Sequence, residues 1–206
     1  MSVEISQSQR SGLSEESIRR FRTRLQGRVV LATDAEYETA RRVANGMIDR
    51  RPELIVRCTG QGDVIRAIEF ARTHNLMVAV RGGGHSFAGK STCDGGMVID
   101  LSPMKRVHVD PVRCTAVAEA GLTLGDFDEA SQAYGLVTPL GTVPQTGIAG
   151  LTLGGGIGWI IGKHGLSCDN LVSVDVVTAD GRTLVANGDE NSDLFWVCGV
   201  AVGILA

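Results

Sequence analysis

MVAVRGGGHSFAGKSTCDGGMVID, residues 77–100, is the stretch on which the fold turns. Met77–Val80 is a short apolar run that reads as a strand and stops at a glycine triplet. From Gly84 to Ser91 the letters GHSFAGKS satisfy the phosphate-binding pattern GxxxxGK[ST], so a P-loop nucleotide-binding module is the first reading to test. That motif needs a helix starting at the lysine, because the helix's first amides and its dipole hold the phosphates. Here Lys90 and Ser91 run into Thr92, Cys93, Asp94, Gly95 and Gly96, which cannot carry two helical turns, and the MVID run ending at Asp100 leaves no room for them. The stretch is therefore read as strand, glycine loop, strand. RGGGHS, residues 81–86, is left with two uses. It is either a tight turn packed on neighbouring backbone or an anion nest, since glycine lets successive amides approach a phosphate and adopt positive φ.

Upstream, Ser14 caps a helix over residues 14–26 that places Ile18, Phe21 and Leu25 on one face and stops at Gly27. A second helix is expected over 35–48. A strand (Glu53–Cys58), a helix opened by Asp63 with Val64, Ile65, Ile68 and Ala71 inward, and the strand Met77–Val80 then make a βαβ unit, which favours a parallel pair. Downstream of Gly96 come short strands at Met97–Leu101, Arg106–Val109 and Thr115–Glu119, read as a separate layer of sheet. Thr123 with Asp126 three residues on opens a helix that carries Leu124, Phe127 and Ala130 inward and ends at Gly135. Leu171–Thr178 and Arg182–Ala186 flank Asp180-Gly181, a strong hairpin signal.

Glycine is the outlier in composition: 27 of 206 residues, against a usual share of about 7%, and clustered. The second cluster, PLGTVPQTGIAGLTLGGGIGWIIGKHGLSCDN over residues 139–170, is long, nearly uncharged and suited to a flat, mostly apolar ligand. A formal charge of −3 with both signs interspersed gives no basic stripe for nucleic acid and no basic face for a membrane. The apolar run Gly147–Gly162 is too short and too glycine-rich to span a bilayer, and the polar start lacks a signal-peptide core, so a cytoplasmic protein is expected. Cys58, Cys93, Cys114, Cys168 and Cys198 form no CxxC pair and suggest neither a disulfide framework nor a zinc site. His74, His108 and His164 are not expected to be catalytic.

RGGGHS, GGMVIDLSPMKRVHVD (95–110), AVAEAGLTLGDF (116–127), YGLVTPLGTVPQTGIAGLTLGGGIGWIIGKHGLSCDNLVSVDVVTADG (134–181) and DLFW (193–196) together resemble the FAD-linked oxidases of the vanillyl-alcohol-oxidase and p-cresol methylhydroxylase type. The likeness runs from about Arg51 to Trp196 and is nearest to the berberine-bridge-enzyme-like and 6-hydroxynicotine-oxidase-like branch. It implies an α+β fold: an N-terminal helical segment over 1–48, then an FAD-binding domain over 49–196 with subdomains at about 49–103 and 104–196. The first subdomain would be a small βαβ unit and the second a mainly antiparallel sheet with helices. It also implies FAD as cofactor and a small alcohol, sugar or amine as substrate, usually with oxygen as electron acceptor.

Residue by residue, Arg81, Gly82, Gly83, Gly84, His85 and Ser86 would wrap the FAD pyrophosphate, with His85 at the position that bonds covalently to the 8-methyl carbon of the flavin. Gln145, Thr146, Gly147, Gly150, Leu151, Gly155, Gly158 and Trp159 would line the flavin and pyrophosphate, and Asp169, Asn170 and Val174 would continue toward the adenosine. Some family members add a second tether from a cysteine, but Val143 stands there, so one tether at most is expected. The family's substrate domain, with its catalytic acid or base, is expected to be absent, which makes the chain read as a truncated copy and leaves an inactive flavin-binding fragment as the alternative function. Its final residues 197–206, VCGVAVGILA, depart from the family pattern. Read two bases later in degenerate codons they can encode Val-Arg-Gly-Gly-Gly-Gly-Asn-Phe, so they are expected to be an out-of-register tail.

Overall fold

The computed structural model describes residues 13–200. The first and last parts of the chain, including residues 201–206 of the expected out-of-register tail, lie outside the described residues. Strands β1 (Arg28–Leu31), β2 (Leu54–Arg57), β3 (Val78–Arg81) and β4 (Met97–Asp100) form one sheet in the order β1-β2-β4-β3. β1 runs antiparallel to β2, and β4 runs parallel to both β2 and β3. Leu54, Ile55, Val56, Met97, Val98 and Ile99 are all fully buried, as central parallel strands covered on both faces must be. Helix α1 (Glu15–Arg24) and helix α3 (Gln61–Thr73) cover one face, where Phe21 and Phe70 stack at a centroid distance of 4.1 Å. Tyr37, on the short helix α2 (Tyr37–Ala40), covers the other face with Val30, Ile55 and Val98.

Several expectations change here. The βαβ unit is present, but its two strands are not neighbours: β4 lies between them, so Met97–Asp100 belongs to the first sheet and not to a second layer. The N-terminal segment is not purely helical, because Val29 and Val30 are buried within β1, a strand the helix-weighted reading passed over. The helix expected over 35–48 is confined to Tyr37–Ala40. Asn45 and Gly46 end its helical prospects: the Asn45 side chain accepts from the Met47 N–H at 3.1 Å, a local turn that competes with helix. Asp63 stands inside α3 and not at its cap. No helix starts at Lys90, where the chain turns and enters β4, and the P-loop reading falls with it.

The second subdomain holds two antiparallel hairpins, β5 (Val107–Asp110) with β6 (Thr115–Ala118) and β7 (Ser173–Val177) with β8 (Thr183–Asn187). Gly181, at φ 85°, makes the expected turn of the second. Between the hairpins, helix α4 (Leu124–Gln132) opens on the expected capping box. The Thr123 side chain accepts from the Asp126 N–H at 3.3 Å and the Asp126 carboxylate accepts from the Thr123 N–H at 2.9 Å. Leu124, Phe127 and Leu140 make this subdomain's own small core, and helix α5 (Ile148–Leu153), helix α6 (Ile161–His164) and helix α7 (Ser192–Val200) complete it.

Candidate functional site

The three parallel strands point their carboxyl ends the same way, and the RGGGHS loop leaves the end of β3 beside the end of β4. Loops at that edge of a parallel sheet are where ligands of α/β folds sit, because the strands have stopped and the backbone groups beyond them are unpaired. Here the second glycine cluster meets the first. A Cβ on Gly83 would stand 2.6 Å from the Gly147 Cα, and one on Gly147 would stand 2.8 Å from the Gly83 Cα, so only glycine permits the crossing. Gly82 approaches the Ala120 carbonyl less tightly, at 3.0 Å from where its Cβ would be. Gly147 is held in turn by the second subdomain, with the Ile148 N–H donating to Leu122 O at 2.9 Å and the Leu124 N–H donating to Thr146 O at 2.9 Å.

The loop is thus clamped at the junction of the two subdomains, and its amides are left over. The N–H groups of Gly82, Gly83, Gly84, His85 and Ser86 find no acceptor among the described residues. Gly84, at φ 71°, turns the backbone into a conformation that a side chain would strain. His85 is half-buried beside it. Arg81 contributes in an unexpected way: its guanidinium faces inward, donating to the Asp100 carboxylate at 2.9 Å and to Ala40 O at 2.7 Å, and stays 7% exposed. The arginine braces the loop from below and leaves only its backbone for a ligand.

The second cluster divides in two. Thr146 and Gly147 join the crossing, Gln145 is exposed beside it, and Gly150 sits on α5 with open space where its Cβ would be. Leu151 packs toward the Leu124–Phe127–Leu140 core. Farther on, Gly155 and Gly156 take positive φ and are pinned from below, with the Ser167 N–H donating to Gly156 O at 3.0 Å and the Cys168 N–H donating to Gly155 O at 3.0 Å. Gly158 lies so close to the Leu140 carbonyl that no Cβ fits. These contacts push Ile157 and Trp159 outward, and the indole is 87% exposed.

Asp169 and Asn170 spend their side chains locally: the Asp169 carboxylate accepts from the Leu166 N–H at 2.8 Å, and the Asn170 amide donates to His164 O and Leu166 O, each at 2.9 Å. Val174 is half-buried on β7. A groove of 410 Å³ between α1 and α3, lined by Arg20, Phe21, Phe70 and His74, shares no residue with the glycine loops and carries none of this chemistry.

Sequence reading missed the buried carboxylate that ties the first subdomain together. Asp63, 1% exposed, accepts from the N–H groups of Gln26, Gly27 and Thr59 at 2.8, 2.9 and 3.0 Å, tying α3 to the turn before β1. Burial raises its pKa, and these hydrogen bonds outweigh burial, leaving the carboxyl below its ordinary value. Only the position of Asp63 in the first turn of α3 hinted at it.

A row of unclaimed amides and a glycine crossing that brings backbone within reach of a phosphate fit the diphosphate of FAD, and the exposed indole of Trp159 offers one flat apolar face. The comparisons agree. Residues 52–187 match the model of the FAD-binding domain family. FAD-linked oxidoreductase pgmH of Aspergillus terreus is 44% identical over 190 residues, 90% of this chain and 38% of that protein. Among solved structures, 6-hydroxy-D-nicotine oxidase from Arthrobacter nicotinovorans superposes with a TM-score of 0.84 at 35% identity, over 86% of this chain and 39% of that one. The BBE-like 1 protein of Physcomitrella patens superposes at 0.85 and 32% identity, over 88% and 40%. The chain therefore spans about two fifths of the length of these relatives. It belongs to the FAD-binding domain family of the FAD-linked oxidoreductases, and its cofactor is FAD.

Proposed function

We propose that this chain is the flavin-holding part of an oxidase acting on a small alcohol, sugar or amine, with oxygen as electron acceptor and His85 as a covalent tether. The observation that carries it is the crossing of Gly82–Gly83 with Thr146–Gly147, which presents undonated amides next to His85. FAD, when bound, accepts a hydride from a carbon bearing a hydroxyl or amine and passes the electrons on. The amides of residues 82–86 hold the pyrophosphate as an anion nest, at no cost of side-chain ordering. The His85 imidazole nitrogen would be the nucleophile that bonds the flavin's 8-methyl carbon, the methyl giving up a proton and the electron pair passing to the flavin ring, which oxygen then reoxidises. The glycines from Gly155 to Gly158 keep side chains off the cofactor loop, and Trp159 offers an apolar face to the ring system. Gln145 and Gly150 border the same surface. Asp169 and Asn170 shape the turn that leads to Val174 and the adenosine side.

The test is spectroscopic. Purified protein incubated with FAD should quench flavin fluorescence at one equivalent and carry yellow fluorescence through a denaturing gel. Unquenched flavin at a hundredfold excess of protein sinks the reading of the site. Peroxide release on addition of alcohols, sugars or amines, measured on the longest protein that contains this chain, tests the substrate class.

A further inference from the structure

The loop that carries His85 is gripped on a second side by residues outside the family match, which begins at residue 52. From Arg41 to Arg50 the chain has no regular structure, yet it makes a series of directed contacts with residues 81–92. The Ala44 N–H donates to Gly84 O at 3.1 Å, and the Asn45 side-chain amide donates to Phe87 O at 3.2 Å. At the far end one guanidinium nitrogen of Arg50 donates to both Gly89 O at 3.0 Å and Thr92 O at 2.9 Å. At the near end Arg81 donates to Ala40 O and, at 3.4 Å, to Arg42 O, while also pairing with Asp100. Gly89, at φ 72°, packs its backbone on Ile48. The segment itself is stiffened by Arg41, 7% exposed, which pairs with Glu38 and Asp49.

The four bonds that Ala44, Asn45 and Arg50 donate take loop carbonyls, those of Gly84, Phe87, Gly89 and Thr92, and none of the contacts takes an amide of residues 82–86. That asymmetry decides what the contacts do. A carbonyl held by residues 41–50 cannot turn toward an anion, and the N–H of its peptide points the opposite way, so the bond from Ala44 to Gly84 O turns the His85 N–H away from the strap. We propose that residues 41–50 form a strap that fixes the backbone of the 82–92 loop before the cofactor arrives, with Arg50 as its positioning residue. A charged donor shared by two carbonyls is the strongest of the strap's bonds. The strap acts on the loop and touches no reacting atom. In its effect on cofactor binding the proposal rests on the FAD reading above, whereas its effect on the loop does not.

The test compares wild type, Arg50→Ala, Arg50→Lys and the milder Asn45→Ala by amide hydrogen exchange without FAD, and then by FAD titration. Arg50→Ala should speed exchange across residues 82–92 about tenfold, leave β2 and β4 unchanged, and weaken FAD binding by a similar factor. Arg50→Lys, which keeps a charged donor, should recover most of both. Asn45→Ala should show the same local pattern more weakly, and it decides the matter if Arg50→Ala fails to fold. Exchange in 82–92 that is unchanged in both alanine variants, or that rises equally in β2 and β4, overturns the strap. Wild type that binds no FAD overturns the cofactor reading and leaves the exchange comparison to judge the strap by itself.

Discussion

Gly83 and Gly147 stand backbone against backbone, one from the loop after β3 and the other from the N-cap of α5, and neither position has room for a Cβ. Through this contact the small parallel unit and the hairpin subdomain share one edge. It is also the point where the unclaimed amides of the first loop come nearest to the second.

Gly83→Ala should therefore damage both stability and cofactor binding. The new Cβ would meet main chain, which cannot rotate aside as a side chain can, and overpacking of that kind costs about 1–3 kcal/mol. Thermal melting should fall and FAD fluorescence quenching should weaken together. A variant with wild-type melting and wild-type quenching would show that the two loops do not need to touch.

Gly150→Ala is the contrasting case. Gly150 lies on α5 with nothing near its missing Cβ, so alanine should stabilise the free protein by about 0.5–1 kcal/mol through helix propensity. If Gly150 borders the flavin, the added methyl weakens FAD binding while the melting temperature rises. Unchanged binding would remove Gly150 from the site.

His85→Ala should leave FAD binding intact in part but non-covalent, because backbone amides and not the imidazole hold the phosphates. The measurement is yellow fluorescence on a denaturing gel, present in wild type and lost in the variant. Fluorescence that persists in the variant places the tether elsewhere.

Asp63→Ala should be the most destabilising of these changes. It strips the charged acceptor from three part-buried backbone N–H groups at once, and hydrogen bonds to charged groups contribute about 1.5–3 kcal/mol each. Urea unfolding should show a loss of at least about 3 kcal/mol. A loss below about 1 kcal/mol would mean that water replaces the carboxylate.

Acid should destabilise the protein through carboxyls that folding depresses, Asp126 and Asp63 among them. The Lys105 ammonium at 2.8 Å and the Thr123 N–H hold Asp126 down at about 2, from an ordinary value of 3.8. A carboxyl depressed by folding contributes stability that is fully present above 3.8 and is lost as pH falls toward 2. Asp63 acts in the same direction. Asp126→Asn should flatten part of the acid limb of the stability curve between pH 4 and 2; a limb identical to wild type would show that the capping box does not depend on the charge.

Much of this molecule was legible in its letters. The capping box Thr123–Asp126, the Asp180-Gly181 hairpin and the helix from Ser14 are local, set by hydrogen bonds and φ preferences that act within a few residues, and they formed where the sequence placed them. The glycine clusters pointed either to tight turns or to a ligand approached by backbone, and the lack of helix-forming residues after Lys90 argued against the P-loop that the structure then removed. Tertiary structure decided the rest. Strand order is non-local, so nothing near Met97–Asp100 could say that β4 would insert between β2 and β3. Nothing near Arg81 could say that its charge would turn inward to Asp100. The segment after Ala40 leaves the helix at a local turn, and its Ala44 N–H and its Asn45 and Arg50 side chains reach carbonyls some forty residues away, contacts that periodicity within one window cannot register. The crossing of Gly83 and Gly147 was decided in the same way: each glycine was visible by itself, and only the packing of the two subdomains showed that each keeps the other small.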